Sequence, residues 1–87
     1  MPNITVFSKN RCPKCNMTKK FLTNNNIDFT EVNIDNEEHL TKYGKTREEI
    51  ISYIKDQLNL STMPVVVTED DTWGDYQIDK LRSLVSK

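Results

Sequence analysis

Two cysteines separated by only two residues, in the segment Cys12-Pro13-Lys14-Cys15, constrain this chain more than any other feature of its sequence. A disulfide that closes so short a loop removes little chain entropy from the unfolded state, so the pair is poorly suited to staple a fold. Redox or metal chemistry explains the spacing better. Pro13 suits the first position of a helix, where its missing N–H costs nothing, and Cys12 would then be the N-cap. The motif therefore predicts a helix that begins at the cysteines.

The hydrophobic pattern along the chain predicts a small α/β domain. Apolar and β-branched stretches predict four strands, at residues 4–7, 27–34, 65–67 and 72–73. Cap residues and apolar residues at helical spacing predict helices that begin at Pro13, at Asp35 or Asn36, at Thr46 and at Asp75 or Ile78. The first would end at the asparagines 24–26, the second at residue 44 and the last at residue 86, with Leu81, Leu84 and Val85 facing inward. We expect the first two strands to be parallel across a crossover helix and the last two to form a hairpin.

Length and charge exclude several classes of protein. Eighty-seven residues provide one modest core, which predicts a single domain over residues 1–87. Apolar runs far shorter than the roughly 18 residues of a membrane span, and no signal-peptide pattern, predict a cytoplasmic protein without membrane contact. The net charge of −1 gives no reason to expect a nucleic-acid partner. Charges are nevertheless segregated: a basic stretch over residues 9–20 surrounds the cysteines, and an acidic stretch covers residues 69–75.

The predicted helix start assigns different roles to the two cysteines. A thiolate is the nucleophile in disulfide exchange, and an unperturbed thiol with a pKa near about 8.5 is mostly protonated at neutral pH. Cys12 would face the unpaired N–H groups and the positive end of the helix dipole, with Lys9, Arg11 and Lys14 nearby, and each favours the anion. Cys15, one turn further into the helix, would be less exposed and close enough to attack a mixed disulfide at Cys12. We therefore expect Cys12 to attack and Cys15 to resolve.

A metal-binding module is the alternative from another class. The chain offers Cys12, Cys15 and its single histidine, His39, as preferred zinc ligands, whereas a structural zinc site needs four. His39 itself lies in a charged helical stretch, and we expect an exposed side chain without a role. No metal ligand is therefore assigned.

Three blocks of the sequence resemble the glutaredoxins of the thioredoxin-like fold, and among them the NrdH-type redoxins and the short phage glutaredoxins. Residues 6–15 are similar to the family's strand, its Ser-Lys pair and its Cys-Pro-x-Cys motif. Residues 62–66, Thr-Met-Pro-Val-Val, resemble the segment whose proline is cis in the family. Residues 73–76, Trp-Gly-Asp-Tyr, followed by Asp79, resemble the Trp-Ser-Gly-Phe segment and downstream Asp of NrdH-type redoxins. The order and spacing of the blocks are more specific than Cys-x-x-Cys alone.

The resemblance implies a four-stranded mixed sheet flanked by helices and a monomeric dithiol oxidoreductase that reduces protein disulfides. It implies that Cys12 is the nucleophile, that Cys15 is the resolving thiol and that Pro64 is the cis-proline that presents the Met63 backbone to substrate. Lys9 matches the lysine that holds the glutathione carboxylate and stabilises the thiolate in glutaredoxins. The expected substrate-binding residues are Lys9, Pro13, Lys14, Met63, Pro64, Gly74 and Asp75. No tightly bound cofactor is expected beyond the Cys12–Cys15 disulfide.

The resemblance leaves the source of electrons open. NrdH-type redoxins take electrons from thioredoxin reductase and pass them to ribonucleotide reductase, and Trp73 favours this group. Ordinary glutaredoxins use glutathione and carry a Gly-Gly pair where this chain has Gly74 and Asp75. Asp75 removes one close approach to glutathione and adds a negative charge beside an anionic ligand. We therefore expect ribonucleotide reductase as the partner, with thioredoxin reductase or glutathione as the reductant.

Overall fold

The computed structural model describes residues 4–85 and shows a four-stranded sheet flanked by helices. The strands are β1 (Thr5–Ser8), β2 (Thr30–Asn33), β3 (Val65–Val67) and β4 (Thr72–Gly74). The helices are α1 (Pro13–Asn24), α2 (Glu37–Tyr43), α3 (Arg47–Ser52) and α4 (Ile78–Val85). A π-helical turn at Tyr53–Gln57 continues α3.

The sheet is mixed and has the strand order β2-β1-β3-β4. β1 and β2 are parallel and are connected through α1, whereas β3 is antiparallel to both β1 and β4. The predicted crossover and the predicted hairpin are both confirmed. In this register, Phe7 pairs with Val32 and Val65, and Val65 pairs with Gly74. The last residues of β1, β2 and β4 and the first residue of β3 therefore lie at the same end of the sheet, which we call the cysteine end.

Apolar side chains cover both faces of the sheet, which explains why β3 is apolar throughout. On one face, strand residues pack with residues of α1 and α4 in a cluster of Ile4, Val6, Leu22, Val66, Trp73 and Leu81. On the other face, strand residues pack with α3 and the π-helical turn in a cluster of Phe7, Val32, Ile34, Ile50, Ile54 and Val65. Successive strand residues alternate between the clusters, as Val6 and Phe7 do. The sheet is thus the middle of three layers and holds α1 fixed at the cysteine end.

The predicted helix boundaries are mostly confirmed by their caps. Pro13 is the first residue of α1, Cys12 is its N-cap, and Asn25 is its C-cap. Asn36 caps α2, which ends at Gly44 in the left-handed region with φ 82°. Thr46 and Glu49 form a capping box at the start of α3.

Three details differ from the sequence predictions, and one prediction lies outside the described residues. β2 begins at Thr30 and not at residue 27, because Ile27 donates its N–H to Leu22 O and closes the turn after α1. The π-helical turn was not predicted. α4 begins at Ile78, one of its two predicted starts, and its predicted end at residue 86 lies outside the described residues. Val85 does not face inward, because 46% of its surface is exposed.

Candidate active site

The two cysteines lie at the N-terminus of α1, where they form a disulfide with a Cα–Cα distance of 5.2 Å. Cys15 is completely buried, whereas 7% of the Cys12 surface is exposed, so of the two cysteines only Cys12 has surface that a partner molecule can contact. The Cys15 N–H donates a hydrogen bond of 3.2 Å to Cys12 Sγ. The first turn of α1 contains no acidic residue that would oppose the helix dipole. A negative charge on Cys12 is therefore favoured by the backbone of its own helix.

The loop between β1 and α1 is held by the connection that follows β2. Arg11 adopts a left-handed φ of 56°, which turns the chain into the helix just before Cys12. The Asn10 N–H donates to Asp35 Oδ2 at 3.0 Å, and Asn33 Nδ2 donates to Asn10 Oδ1 at 3.1 Å. The Asn10 hydrogen bond, supported by one from Arg47, lowers the pKa of Asp35. Sequence reasoning missed these contacts because they join segments about 25 positions apart.

The proline segment approaches the same end of the sheet from β3. The Met63-Pro64 peptide bond is cis, as the resemblance implied, and Pro64 is buried. The Asp75 N–H donates to Pro64 O at 2.8 Å. A Cβ added at Gly74 would lie 3.2 Å from the Thr62 carbonyl oxygen, so a glycine allows β4 to pack closely against this segment. The register thus places residues 62–64 and 74–75 at the cysteine end of the sheet, together with α1.

Asp75 forms an ion pair with the lysine that lies between the two cysteines. Lys14 Nζ is 2.8 Å from Asp75 Oδ1, and the same oxygen accepts from the Tyr76 N–H at 2.7 Å. The Lys14 ammonium and the Tyr76 N–H lower the pKa of Asp75. This ion pair therefore brings the acidic stretch, residues 69–75, into contact with the basic stretch, residues 9–20. Asp75 also has a φ of 69°, a conformation that favours glycine, the residue found at this position in the family that the sequence resembles.

The other basic residues around the cysteines are distributed over separate contacts. Lys9 is exposed and lines a groove together with Met63. Lys19 forms an ion pair of 2.7 Å with Glu31, which also accepts a hydrogen bond of 2.7 Å from the buried Ser8 hydroxyl. The charge of Lys19 is thus compensated within the protein. Lys9 and Pro13 remain available at the surface near the helix start, whereas Lys14 is exposed but paired with Asp75.

Trp73 and His39 have structural contacts. Trp73 is only 4% exposed and packs in the core cluster with Leu81, a residue of the last helix. His39 is half-buried rather than exposed, because its Nδ1 accepts a hydrogen bond of 3.0 Å from the Asn33 N–H and so caps β2. Within residues 4–85, no group of three or more His, Cys, Asp or Glu residues is placed to hold a metal ion. The arrangement gives the metal-module alternative no support.

The described helices include none that is both long enough and apolar enough to cross a membrane.

The fold and the site together define the class of this protein. A four-stranded mixed sheet of thioredoxin-like topology carries a redox-active Cys-x-x-Cys pair at the start of its first helix, which is the construction of a thiol-disulfide oxidoreductase. The chain belongs to the glutaredoxin family, whose family model matches residues 4–73.

Curated relatives point to one group within this family. The chain is 30% identical over 81 residues to the glutaredoxin-like protein NrdH of Lactococcus lactis, covering 93% of this chain and 97% of that protein. It is 26% identical over 81 residues to the glutaredoxin-like protein NrdH of Escherichia coli, covering 93% of this chain and 86% of that protein. This protein is therefore a glutaredoxin and NrdH-like redox protein.

Solved structures agree with this assignment. The glutaredoxin of Archaeoglobus fulgidus superposes with a TM-score of 0.75 at 26% identity, covering all of this chain and 89% of that one. The NrdH-redoxin of Escherichia coli superposes with a TM-score of 0.70 at 23% identity, covering 94% and 93% of the two chains. At that identity, the second likeness shows the fold alone.

Proposed function

We propose that the protein reduces protein disulfides through a two-step exchange at Cys12 and Cys15. The Cys12 thiolate attacks one sulfur of the substrate disulfide, forms a mixed disulfide and displaces the other substrate sulfur as a thiolate. Cys15 then loses its proton and attacks the Cys12 sulfur. The second substrate thiolate leaves, and the Cys12–Cys15 disulfide remains. Two electrons pass from the dithiol to the substrate, and the released thiolates take up protons from water.

The observation that carries this proposal is the difference between the two cysteines at the helix start. Cys12 is the N-cap and is the one cysteine of the pair with exposed surface, whereas Cys15 is completely buried one turn further along. Intermolecular attack requires an accessible thiolate, and the resolving step requires only that Cys15 reach Cys12. The disulfide between them demonstrates that this distance can be closed.

Single serine variants test the two roles. Cys12→Ser is expected to abolish turnover of a disulfide substrate, because the serine hydroxyl is not a nucleophile towards disulfides. Cys15→Ser is expected to retain the first step and to accumulate a covalent mixed disulfide, which mass spectrometry of the unreduced product detects. Met17→Ala changes an exposed residue of the same helix and serves as the control with full turnover. Wild-type turnover in Cys12→Ser, or trapping only in Cys12→Ser, would contradict the proposal.

We propose ribonucleotide reductase as the physiological partner and thioredoxin reductase as the source of electrons. The similarity to NrdH proteins over 93% of the chain supports both, since the resemblance to this group implies them. We also propose that the chain acts as a single-domain monomer in the cytoplasm. Deoxyribonucleotide formation in a reconstituted mixture of NADPH, thioredoxin reductase, this protein and ribonucleotide reductase tests the pathway. No product formation above a mixture that contains Cys12→Ser would contradict it.

A glutathione-dependent reductase is the second candidate, and Asp75 is the observation that weighs against it. The Asp75 carboxylate forms an ion pair with the Lys14 ammonium, so Lys14 is not free to bind the negatively charged glutathione. The test compares two assays of NADPH consumption, one with thioredoxin reductase and one with glutathione and glutathione reductase. We expect NADPH consumption to be faster with thioredoxin reductase. Asp75→Asn is expected to raise the glutathione-dependent rate, because it frees Lys14.

The matched control for Asp75→Asn is Asp71→Asn, which removes a carboxylate from a similar ion pair of 2.7 Å with Lys80. Asp71 lies in the connection between β3 and β4, at the opposite end of β4 from Asp75. We expect this variant to leave both rates unchanged. A glutathione-dependent rate that exceeds the thioredoxin reductase rate in the wild type would assign the protein to the glutathione-dependent class.

A further inference from the structure

Asn10, two residues before Cys12, is held by hydrogen bonds through both its main chain and its side chain. Its N–H donates to Asp35 Oδ2 at 3.0 Å, and its Oδ1 accepts from Asn33 Nδ2 at 3.1 Å. The two partners are also joined to each other, because the Asp35 N–H donates to Asn33 Oδ1 at 2.8 Å. Asn10, Asn33 and Asp35 thus form a closed ring of hydrogen bonds, which we call the asparagine clasp.

The part of the clasp that follows β1 in space is anchored to a strand and to two helices. Asn33 is the last residue of β2 and pairs with Ser8 of β1 in the sheet. The Asn33 N–H donates to Nδ1 of His39, a residue of α2, at 3.0 Å. Asp35 Oδ1 is 3.3 Å from Nε of Arg47, the first residue of α3. The clasp therefore ties the exposed loop before Cys12 to a fixed part of the fold.

The loop needs this support because Arg11, between Asn10 and Cys12, has an unfavourable backbone conformation. Its φ of 56° lies in the left-handed region, which residues with a Cβ seldom adopt. Such conformations persist where the surrounding structure determines them. The Arg11 side chain is exposed, so packing in the core does not hold the turn. The contacts of the neighbouring residue Asn10 are therefore placed to hold it.

The turn at Arg11 determines where the Cys12 sulfur lies relative to α1. Cys12 is the N-cap in an extended conformation, with φ −123° and ψ 93°, and its sulfur accepts the Cys15 N–H at 3.2 Å. A thiolate at this position is stabilised by the helix only while its sulfur stays close to the unpaired N–H groups of the first turn. A change of backbone conformation at Arg11 would move the sulfur away from these groups. The clasp thus acts on the Cys12 thiolate through the main chain.

We propose that Asn10 is a positioning residue for the Cys12 thiolate and that it acts through the clasp with Asn33 and Asp35. The proposal rests on the nucleophilic role of Cys12 proposed above and adds the residue that keeps the thiolate at the helix terminus. Breaking the clasp at Asn10 weakens the helix cap at Cys12 without removing it. The alkylation rate of Cys12 at pH 6 is therefore expected to fall by about two- to fivefold, which is at the low end of the effect of a lost cap.

The test measures the rate at which iodoacetamide alkylates Cys12 of the reduced protein from pH 5 to pH 10, with peptide mass spectrometry as the readout. Asn10→Ala removes the side-chain hydrogen bond of an exposed residue and leaves the charged groups near Cys12 in place, namely Lys9, Arg11, Lys14, Asp35 and Asp75. We expect a midpoint at higher pH than in the wild type. The two rates are expected to converge at high pH, where the thiol is ionised in both proteins. A change in accessibility alone would alter the rate by the same factor at every pH.

The matched control is Asn25→Ala at the other end of the same helix. Asn25 Nδ2 donates to Phe21 O at 2.8 Å, so this variant also removes a hydrogen bond of an exposed asparagine. We expect it to keep the wild-type midpoint. Asn33→Ala breaks the clasp from its other side and is expected to raise the midpoint as Asn10→Ala does. The double variant of Asn10 and Asn33 is expected to match the slower single variant, because both substitutions remove the same contact.

A wild-type midpoint in Asn10→Ala, an equal shift in Asn25→Ala, or additive effects in the double variant would overturn the positioning proposal. Alkylation needs no disulfide substrate, whereas the dithiol function is judged by substrate turnover in Cys12→Ser, so the two proposals can fail independently. If circular dichroism shows that Asn33→Ala does not fold, the comparison of Asn10→Ala with Asn25→Ala decides the matter.

Discussion

At the scale of single residues, hydrogen bonds and charge determine how the cysteine end of the sheet is held together. Glu31 shows this best, because it links β2 to α1 through Lys19 and to β1 through Ser8. Burial alone raises the pKa of Glu31, but the hydrogen bonds from Lys19 and Ser8 outweigh it and lower the pKa below 4.5. The ionised form is thus favoured in the folded protein, and the interaction contributes to stability at neutral pH.

Glu31→Gln is expected to lower the free energy of unfolding by about 1 kcal/mol at pH 7, because it removes the ion pair and weakens the Ser8 hydrogen bond. A carboxyl whose pKa is lowered on folding stabilises the folded state above its unfolded pKa, and this contribution disappears as pH falls through the folded pKa. The difference between wild type and variant is therefore expected to shrink towards zero at pH 3. Urea denaturation at both pH values measures it. Asp28→Asn, at an exposed carboxyl, is the control, and a difference that persists at pH 3 would contradict this account.

Residues that act through local sequence were predictable, whereas those that act through distant contacts were not. Cys12 as an N-cap and Pro13 at the first helical position follow from the order of neighbouring residues. The Lys14–Asp75 pair joins α1 to the connection after β4, and no local pattern indicates which lysine an aspartate will meet. Sequence reasoning placed both residues at the site but did not show that they bind each other.

At the scale of secondary-structure elements, the caps determine where helices begin. The predicted start of α3 at Thr46 is confirmed by a capping box, in which Thr46 and Glu49 exchange hydrogen bonds of 3.1 Å and 3.0 Å. The π-helical turn after α3 was not predicted. It depends on Leu58 donating to Tyr53 O, and the spacing of Ile50, Ile54 and Leu58 is equally compatible with a continuous α-helix.

Thr46→Ala is expected to reduce the free energy of unfolding by about 1 kcal/mol, because the Glu49 N–H loses its acceptor at the start of α3. The same substitution at Thr41, inside α2, is expected to cost nothing, since alanine is the better helix former there. Thermal or urea denaturation of the two variants measures the contrast. Equal losses at both positions would show that the capping box does not stabilise α3.

At the scale of the whole molecule, the fold brings separate segments to one end of the sheet. The parallel β1–β2 pair and the β3–β4 hairpin were predictable, because strand type follows from apolar runs and from the length of the connections. The fold class was confirmed as thioredoxin-like by the solved relatives. The groove lined by Lys9 and Met63 could not be predicted from the sequence, because its lining residues come from four separate stretches of the chain. Surfaces of this kind depend on packing between elements.

We propose that the assembled site makes Cys12 the reactive thiolate and leaves Cys15 buried until it resolves the mixed disulfide. It is tested by alkylating the reduced protein with iodoacetamide over a range of pH and identifying the modified cysteine by peptide mass spectrometry. We predict that Cys12 reacts first, with a rate that titrates well below the ordinary thiol pKa of about 8.5, while Cys15 remains unmodified. Faster modification of Cys15, or a Cys12 rate that titrates at 8.5 or above, would contradict the account.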